Sequence, residues 1–114
     1  MNIGIETIKQ LLNYLCDNLI LDDDGYFNEI DLNEELPNRS QLAEMTDGEI
    51  AYLVKELSNV GLLETKHYIA YPKPVIIGLD YSIYLLRDKL NSSTKETLIE
   101  FSKLSLPAII TKLL

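Results

Sequence analysis

Residues Thr46 to Glu64 read TDGEIAYLVKELSNVGLLE, and the reading of this stretch decides the fold. Thr46 and Glu49 have the spacing of a capping box, in which each side chain satisfies an orphan backbone donor at a helix start. Behind that start Ile50, Leu53, Val54, Leu57 and Val60 recur at helical spacing, so one stripe faces a core. Gly61 supplies a residue that turns left-handed and stops the helix. Leu62 and Leu63 follow at once, so the chain leaves the helix without leaving the apolar interior. The opposite face carries Glu49, Tyr52, Glu56 and Asn59, with Lys55 as its sole cation.

Upstream, Ile5, Ile8, Leu12, Leu15 and Leu19 share one face of an amphipathic helix expected over residues 3 to 20, flanked by Leu11 and Cys16. Asp22-Asp23-Asp24-Gly25 reads as a turn, and the alternation from Tyr26 to Leu32 predicts a short strand. After a loop from Asn33 to Pro37, a brief second helix is expected over Arg39 to Met45, capped by Asn38 with Gln41 three residues on. Its inward residues are Leu42 and Met45.

Downstream, Glu64 to Tyr71 and Pro74 to Leu79 are extended runs. Pro72-Lys73-Pro74 between them marks a hairpin tip, because proline cannot donate to a ladder. Asp80 caps a helix predicted over Tyr81 to Leu90. Ser93 and Glu96 have capping-box spacing before another helix to about Leu104, and Pro107 opens a last one to Leu114.

The order helix, strand, helix, helix, strand, strand, helices resembles a winged helix-turn-helix domain. The expected fold class is α+β, with a short first strand, a two-stranded wing and extra C-terminal helices. One domain is expected over residues 1 to 114, core and wing in 1 to 79 and a helical extension in 80 to 114. GEIAYLVKELSNVGLLE (Gly48 to Glu64) and GLDYSIYLL (Gly78 to Leu86) resemble a family of small uncharacterised winged-helix proteins from Firmicutes and their phages. In that family a phrase like EIAYHLKLLxEAGLIE is followed, past the wing, by GLTxxGHxFL. Ile50, Ala51, Tyr52, Leu53, Leu57, Gly61, Leu62 and Glu64 match the first phrase, and Gly78, Leu79 and Leu85 the second. Asp24-Gly25-Tyr26 before the first strand also fits, whereas Ile83 and Tyr84 stand where the family has Gly-His. The resemblance spans roughly residues 22 to 105 and implies a fold and a phage or mobile-element origin. It carries no assigned activity.

Charge constrains partners. The net charge is −8, but residues 1 to 60 hold thirteen Asp/Glu against three Lys/Arg, a net of −10. The remainder is +2. An acidic N-terminal half repels phosphate backbones. The longest apolar runs are too short to cross a bilayer, and no basic-then-apolar leader opens the chain, so a cytoplasmic location without a membrane partner is expected.

Catalytic constellations are absent from the sequence. His67 is the sole histidine, Cys16 the sole cysteine, and no glycine-rich phosphate loop exists. Setting Gly25 at the glycine of a calcium loop puts Ile20 at the first ligand position, which fails. A non-enzymatic protein with no metal, cofactor or small-molecule substrate is expected. If DNA is bound, Arg39, Lys55, Lys66, His67 and Lys73 are the candidate contacts. The favoured expectation is a regulatory or adaptor module working through protein contacts. Tyr52, Tyr68, Tyr71 and Tyr84 would supply amphipathic contact area. The apolar end around Ile109 and Leu113 either caps the core or forms a homodimer seam, and the seam is the expectation.

Overall fold

A computed structural model describes residues 4 to 113 of the chain. In order come α1 (Ile5–Asn18), β1 (Ile30–Asp31), a 3-10 turn (Arg39–Leu42), α2 (Asp47–Asn59), β2 (Leu63–Lys66), β3 (Val75–Leu79), α3 (Ser82–Asn91), α4 (Lys95–Phe101) and α5 (Leu106–Leu113). Among the described residues this is an α+β fold of five α-helices and a three-stranded antiparallel sheet in the order β1-β3-β2. Ile3 and Leu114, at the ends of two expected helices, lie outside the described residues.

Both ends of α2 are closed by local hydrogen bonds. The Glu49 N–H donates to Thr46 Oγ1 at 3.1 Å, and the Thr46 N–H donates to Glu49 Oε1 at 3.0 Å. These bonds favour the ionised carboxylate, so Glu49 is held below its ordinary pKa, the Thr46 backbone N–H contributing most. At the other end Gly61 has φ +83°. The Leu62 N–H reaches the Leu57 carbonyl at 2.9 Å and the Gly61 N–H the Ser58 carbonyl at 3.1 Å, the paired bonds of a Schellman motif. Ile50, Leu53, Val54 and Leu57 are buried along the stripe between these caps.

The chain leaves Gly61 directly into β2, which pairs with β3 from Leu63↔Leu79 to Lys66↔Val75, with a bulge between Glu64 and Thr65. The other edge of β3 pairs with β1 through Ile30↔Ile76 and Asp31↔Val75. One cluster of buried apolar side chains runs from Ile5 on α1 through α2, the sheet and α3 to Ile109 on α5.

The expected strand from Tyr26 to Leu32 shrinks to two residues. Local bonds take the rest: Asp22 Oδ1 accepts from the Asp24 and Tyr26 N–H groups, both at 2.9 Å, and folds the acidic turn back on itself. Asn38 does not cap a helix. It adopts φ 50° and donates from Nδ2 to Asn18 Oδ1 at 2.7 Å, and only a 3-10 turn follows, though Leu42 and Met45 are buried as expected. The cap of α4 is Thr94, whose Oγ1 accepts from the Thr97 N–H at 3.2 Å, while the Ser93 hydroxyl donates to the Lys89 carbonyl. Asp80 accepts from the Ser82 N–H at 3.0 Å and from the Ser82 hydroxyl, so α3 begins one residue later than expected and the Asp80 carboxyl sits below its ordinary pKa.

A polar joint fixes the far end of α1. Asn18 is 7% exposed, donates to the Tyr14 carbonyl at 2.8 Å and to Gln41 Oε1 at 2.9 Å, and accepts from Asn38. Asn28 Nδ2 donates to the Asn18 carbonyl at 2.8 Å, and the Tyr14 hydroxyl to the Pro37 carbonyl at 2.6 Å. Burial raises the Tyr14 pKa, with Arg39 pulling weakly the other way.

At the C-terminus the apolar end packs in part on the chain's own core. Ile109 is 1% exposed and Leu106 is buried, because α5 turns its apolar side onto α3 and the chain's own core; Leu113 is half-buried. A dimer surface built on Ile109 is therefore already used within one chain.

Thr46→Ala is expected to lower stability by about 1 kcal/mol at neutral pH, measured by denaturant melts. A carboxyl depressed in the folded state contributes stability above its unfolded pKa and loses it as pH falls through the folded value. Glu49→Gln should therefore flatten the acid side of the stability profile. Ile109→Ala is expected to cost about 2–5 kcal/mol, with a Tm independent of protein concentration, whereas a dimer seam would make it concentration-dependent.

Candidate functional site

The outer face of α2 presents Tyr52, Lys55 and Asn59 at helical spacing, all exposed, with Ala51 and Ser58 half-buried beside them. The hairpin β2–β3 lies alongside. Ser58 Oγ and Thr65 Oγ1 share a hydrogen bond at 2.9 Å that latches α2 to β2. Beyond β2 the chain turns at Tyr68 to Tyr71, where the Tyr71 N–H reaches the Tyr68 carbonyl at 3.0 Å, and returns through Pro72-Lys73-Pro74.

That return poses a pairing problem. Two prolines leave Lys73 as the only N–H donor of the three residues, so the ladder to β1 cannot continue in the ordinary way. Asn33 solves it: its Oδ1 accepts from the Lys73 N–H at 2.9 Å, and its Nδ2 donates to the Lys73 carbonyl at 2.7 Å. The side-chain amide stands in for a neighbouring peptide. The Asn33 amide is itself oriented by Asp31 Oδ1 at 2.8 Å. Lys73 is thus fixed at its backbone, opposite α2.

Between α2 and the hairpin lies an open groove of about 450 Å³. Tyr52, Lys55, His67 and Lys73 line it with Pro72 and Pro74, and no carboxylate does. On a chain with 18 Asp and Glu, a lining with two lysines, a histidine and no acid is a local reversal of charge. Lys73 also borders a smaller hollow of about 190 Å³ that holds Glu34, Glu35, Asp47 and Arg39. The cationic groove therefore ends against an acidic rim.

Four of the eleven candidate residues, Tyr52, Lys55, His67 and Lys73, meet in this groove. Three more decorate the hairpin tip: Tyr68 and Tyr71 form an edge-to-face pair with centroids 5.8 Å apart, and the Lys66 ammonium lies 5.6 Å from the Tyr68 ring centre. Ile69 between the tyrosines is fully exposed.

Arg39 is a correction. Its guanidinium donates to the Leu42 and Met45 carbonyls and pairs with Asp47 at 3.2 Å, so it fastens the 3-10 turn to the start of α2 and is not a free phosphate contact. Tyr84 is also not a free surface residue: it packs half-buried against the core, under Arg87 at 5.6 Å. Leu113 packs half-buried with α5, and Ile109 is core.

Sequence reasoning missed Asn33. The signal was present in Pro-Lys-Pro, a segment with one donor that needs an acceptor from elsewhere, but nothing local said which residue supplies it. Cys16 is half-buried, and burial raises its thiol pKa against the pull of Arg87. Among the described residues no group of three or more His, Cys, Asp or Glu is placed to hold a metal ion, and no helix is long and apolar enough to cross a membrane. No family model, curated protein or solved structure matches the chain.

Asn33→Ala removes both bonds to Lys73. It is expected to cost about 1–3 kcal/mol and to speed hydrogen exchange at the Lys73 amide more than at the Ile50 or Leu53 amides.

Proposed function

We propose that this chain is a winged-helix module without catalytic activity, acting as a regulatory or adaptor protein through contacts made by the α2–hairpin groove. In this reading α2 is the helix beneath the wing, β2 and β3 are the wing, and α3 to α5 are the added helices. The observation that carries it is the groove itself, where Lys55, His67 and Lys73 meet the Tyr52 ring with no acid in the lining. Mixed apolar and charged linings of this size seat parts of a partner, and tyrosine is a favoured contact residue.

A second reading, a DNA-binding regulator of phage or mobile-element origin, draws on the same cations. In helix-turn-helix proteins the N-terminal residues of the recognition helix meet the base edges. Here that end of α2 carries Asp47 and Glu49, and Arg39 is committed to Asp47. Acids at the leading end of the helix repel a polyanion that each bound cation must first neutralise. Protein contacts are therefore the preferred reading.

Titration with a random duplex at low salt separates the two. On the protein-contact reading any low-salt binding fades as salt is added, to dissociation constants no tighter than about 10⁻⁶–10⁻⁴ M at physiological salt. Tight binding that persists at physiological salt would replace it with the DNA reading. Arg39→Ala should lower stability by about 1–3 kcal/mol without changing whatever weak duplex binding exists. Lys55→Glu should leave stability within about 0.5 kcal/mol while reducing that binding.

A further inference from the structure

We infer that the α2–hairpin groove takes a short acidic peptide segment of a partner protein, with one large apolar side chain seated between the Tyr52 ring and Pro72. The inference rests on the protein-contact reading above and narrows it to one chemistry of ligand.

Three observations point the same way. The lining offers the Lys55 and Lys73 ammonium groups and the His67 ring as hydrogen-bond donors, and no carboxylate lines the groove with them, although Lys73 also borders the hollow that holds Glu34, Glu35 and Asp47. Charge complementarity of this kind selects partners and fixes their register. The remaining lining is apolar or neutral: Ala51, Pro72 and Pro74 beside a tyrosine that is 47% exposed. Such a surface suits a hydrophobic anchor flanked by acids.

Size and surroundings then exclude broader polyanions. At about 450 Å³ the groove admits a few side chains and not a folded surface. A wide acidic face docked here would run onto Glu34, Glu35 and Asp47 in the adjoining hollow. A duplex would meet Asp47 and Glu49 at the start of α2. A slender segment confined to the groove meets the cations alone. The chain's net charge of −8 further implies little long-range attraction, so recognition of an acidic ligand has to be short-ranged and salt-sensitive.

The test follows backbone amide shifts of the 114-residue chain with three probes at low salt. One is a short acetylated peptide of glutamates around a central phenylalanine, another is the same peptide with every glutamate replaced by glutamine, and the last is a random duplex. The expected result is saturable shifts at Tyr52, Lys55, Thr65 and Lys73 with the glutamate peptide and little change with the other two probes. A Lys55→Glu, Lys73→Glu variant should bind that peptide at least about tenfold more weakly, and Lys55→Gln, Lys73→Gln should fall between. Lys103→Glu, on the short segment after α4, should bind as the parent does. Thermal melts of the variants check that each remains folded.

Equal groove binding by the glutamine peptide would overturn the acidic preference and leave the protein-contact reading intact. Groove shifts with the duplex and none with either peptide would overturn both. A groove unmoved by all three probes would overturn the inference about its ligand.

Discussion

The turn at Gly61 is the constraint on which the rest depends. Two backbone bonds close α2 there, and the left-handed residue redirects the chain so that Leu62 and Leu63 stay buried while β2 begins. A residue with a side chain at φ +83° pays a steric cost that glycine avoids. The Asp80 N–H then returns to the Leu62 carbonyl at 2.9 Å, tying the end of β3 to the same corner. Helix, hairpin and the entry to α3 all take their directions from this point. Without it, the outer face of α2 and the hairpin tip would not enclose a groove.

What could be read from the sequence was local. The capping box, the stripe from Ile50 to Leu57 and the Gly61 stop each depend on residues a few positions apart and hold, with Val60 only half-buried. The hairpin also forms, but its first strand ends at Lys66 and not Tyr71, and the chain turns at Tyr68 to Tyr71, ahead of Pro72-Lys73-Pro74. What could not be read was set by side-chain amides acting over distance. Asn28, Asn33 and Asn38 resemble loop filler in sequence, yet they bond to residues 8 to 40 positions away and decide where β1 ends and why no second α-helix forms. Arg39 looked like a free cation because its acceptors are mostly backbone carbonyls, which a sequence does not display.

Charge behaves in the same way. A tally by halves makes residues 1 to 60 uniformly forbidding to anions, yet Lys55 belongs to that half and faces Lys73 and His67 across the groove. Folding collects cations from α2 and from the hairpin and keeps the neighbouring acids in a separate hollow. Net charge therefore describes the far field of this molecule, and the groove describes its near field.

The buried amide of Asn18 has a consequence beyond holding a loop in place. Apolar contacts tolerate sliding, because one methyl group replaces another. An amide bonded across to Gln41 and Asn38 does not. Displacing α1 along its axis by a single turn would carry the amide away from Gln41 and Asn38, while its bond to Tyr14 moves with the helix, and leave the buried Asn18 side chain short of a donor and an acceptor. Asn18 thus acts as an index pin, allowing the first helix one longitudinal setting against the 3-10 turn while the leucines around it supply adhesion without preference.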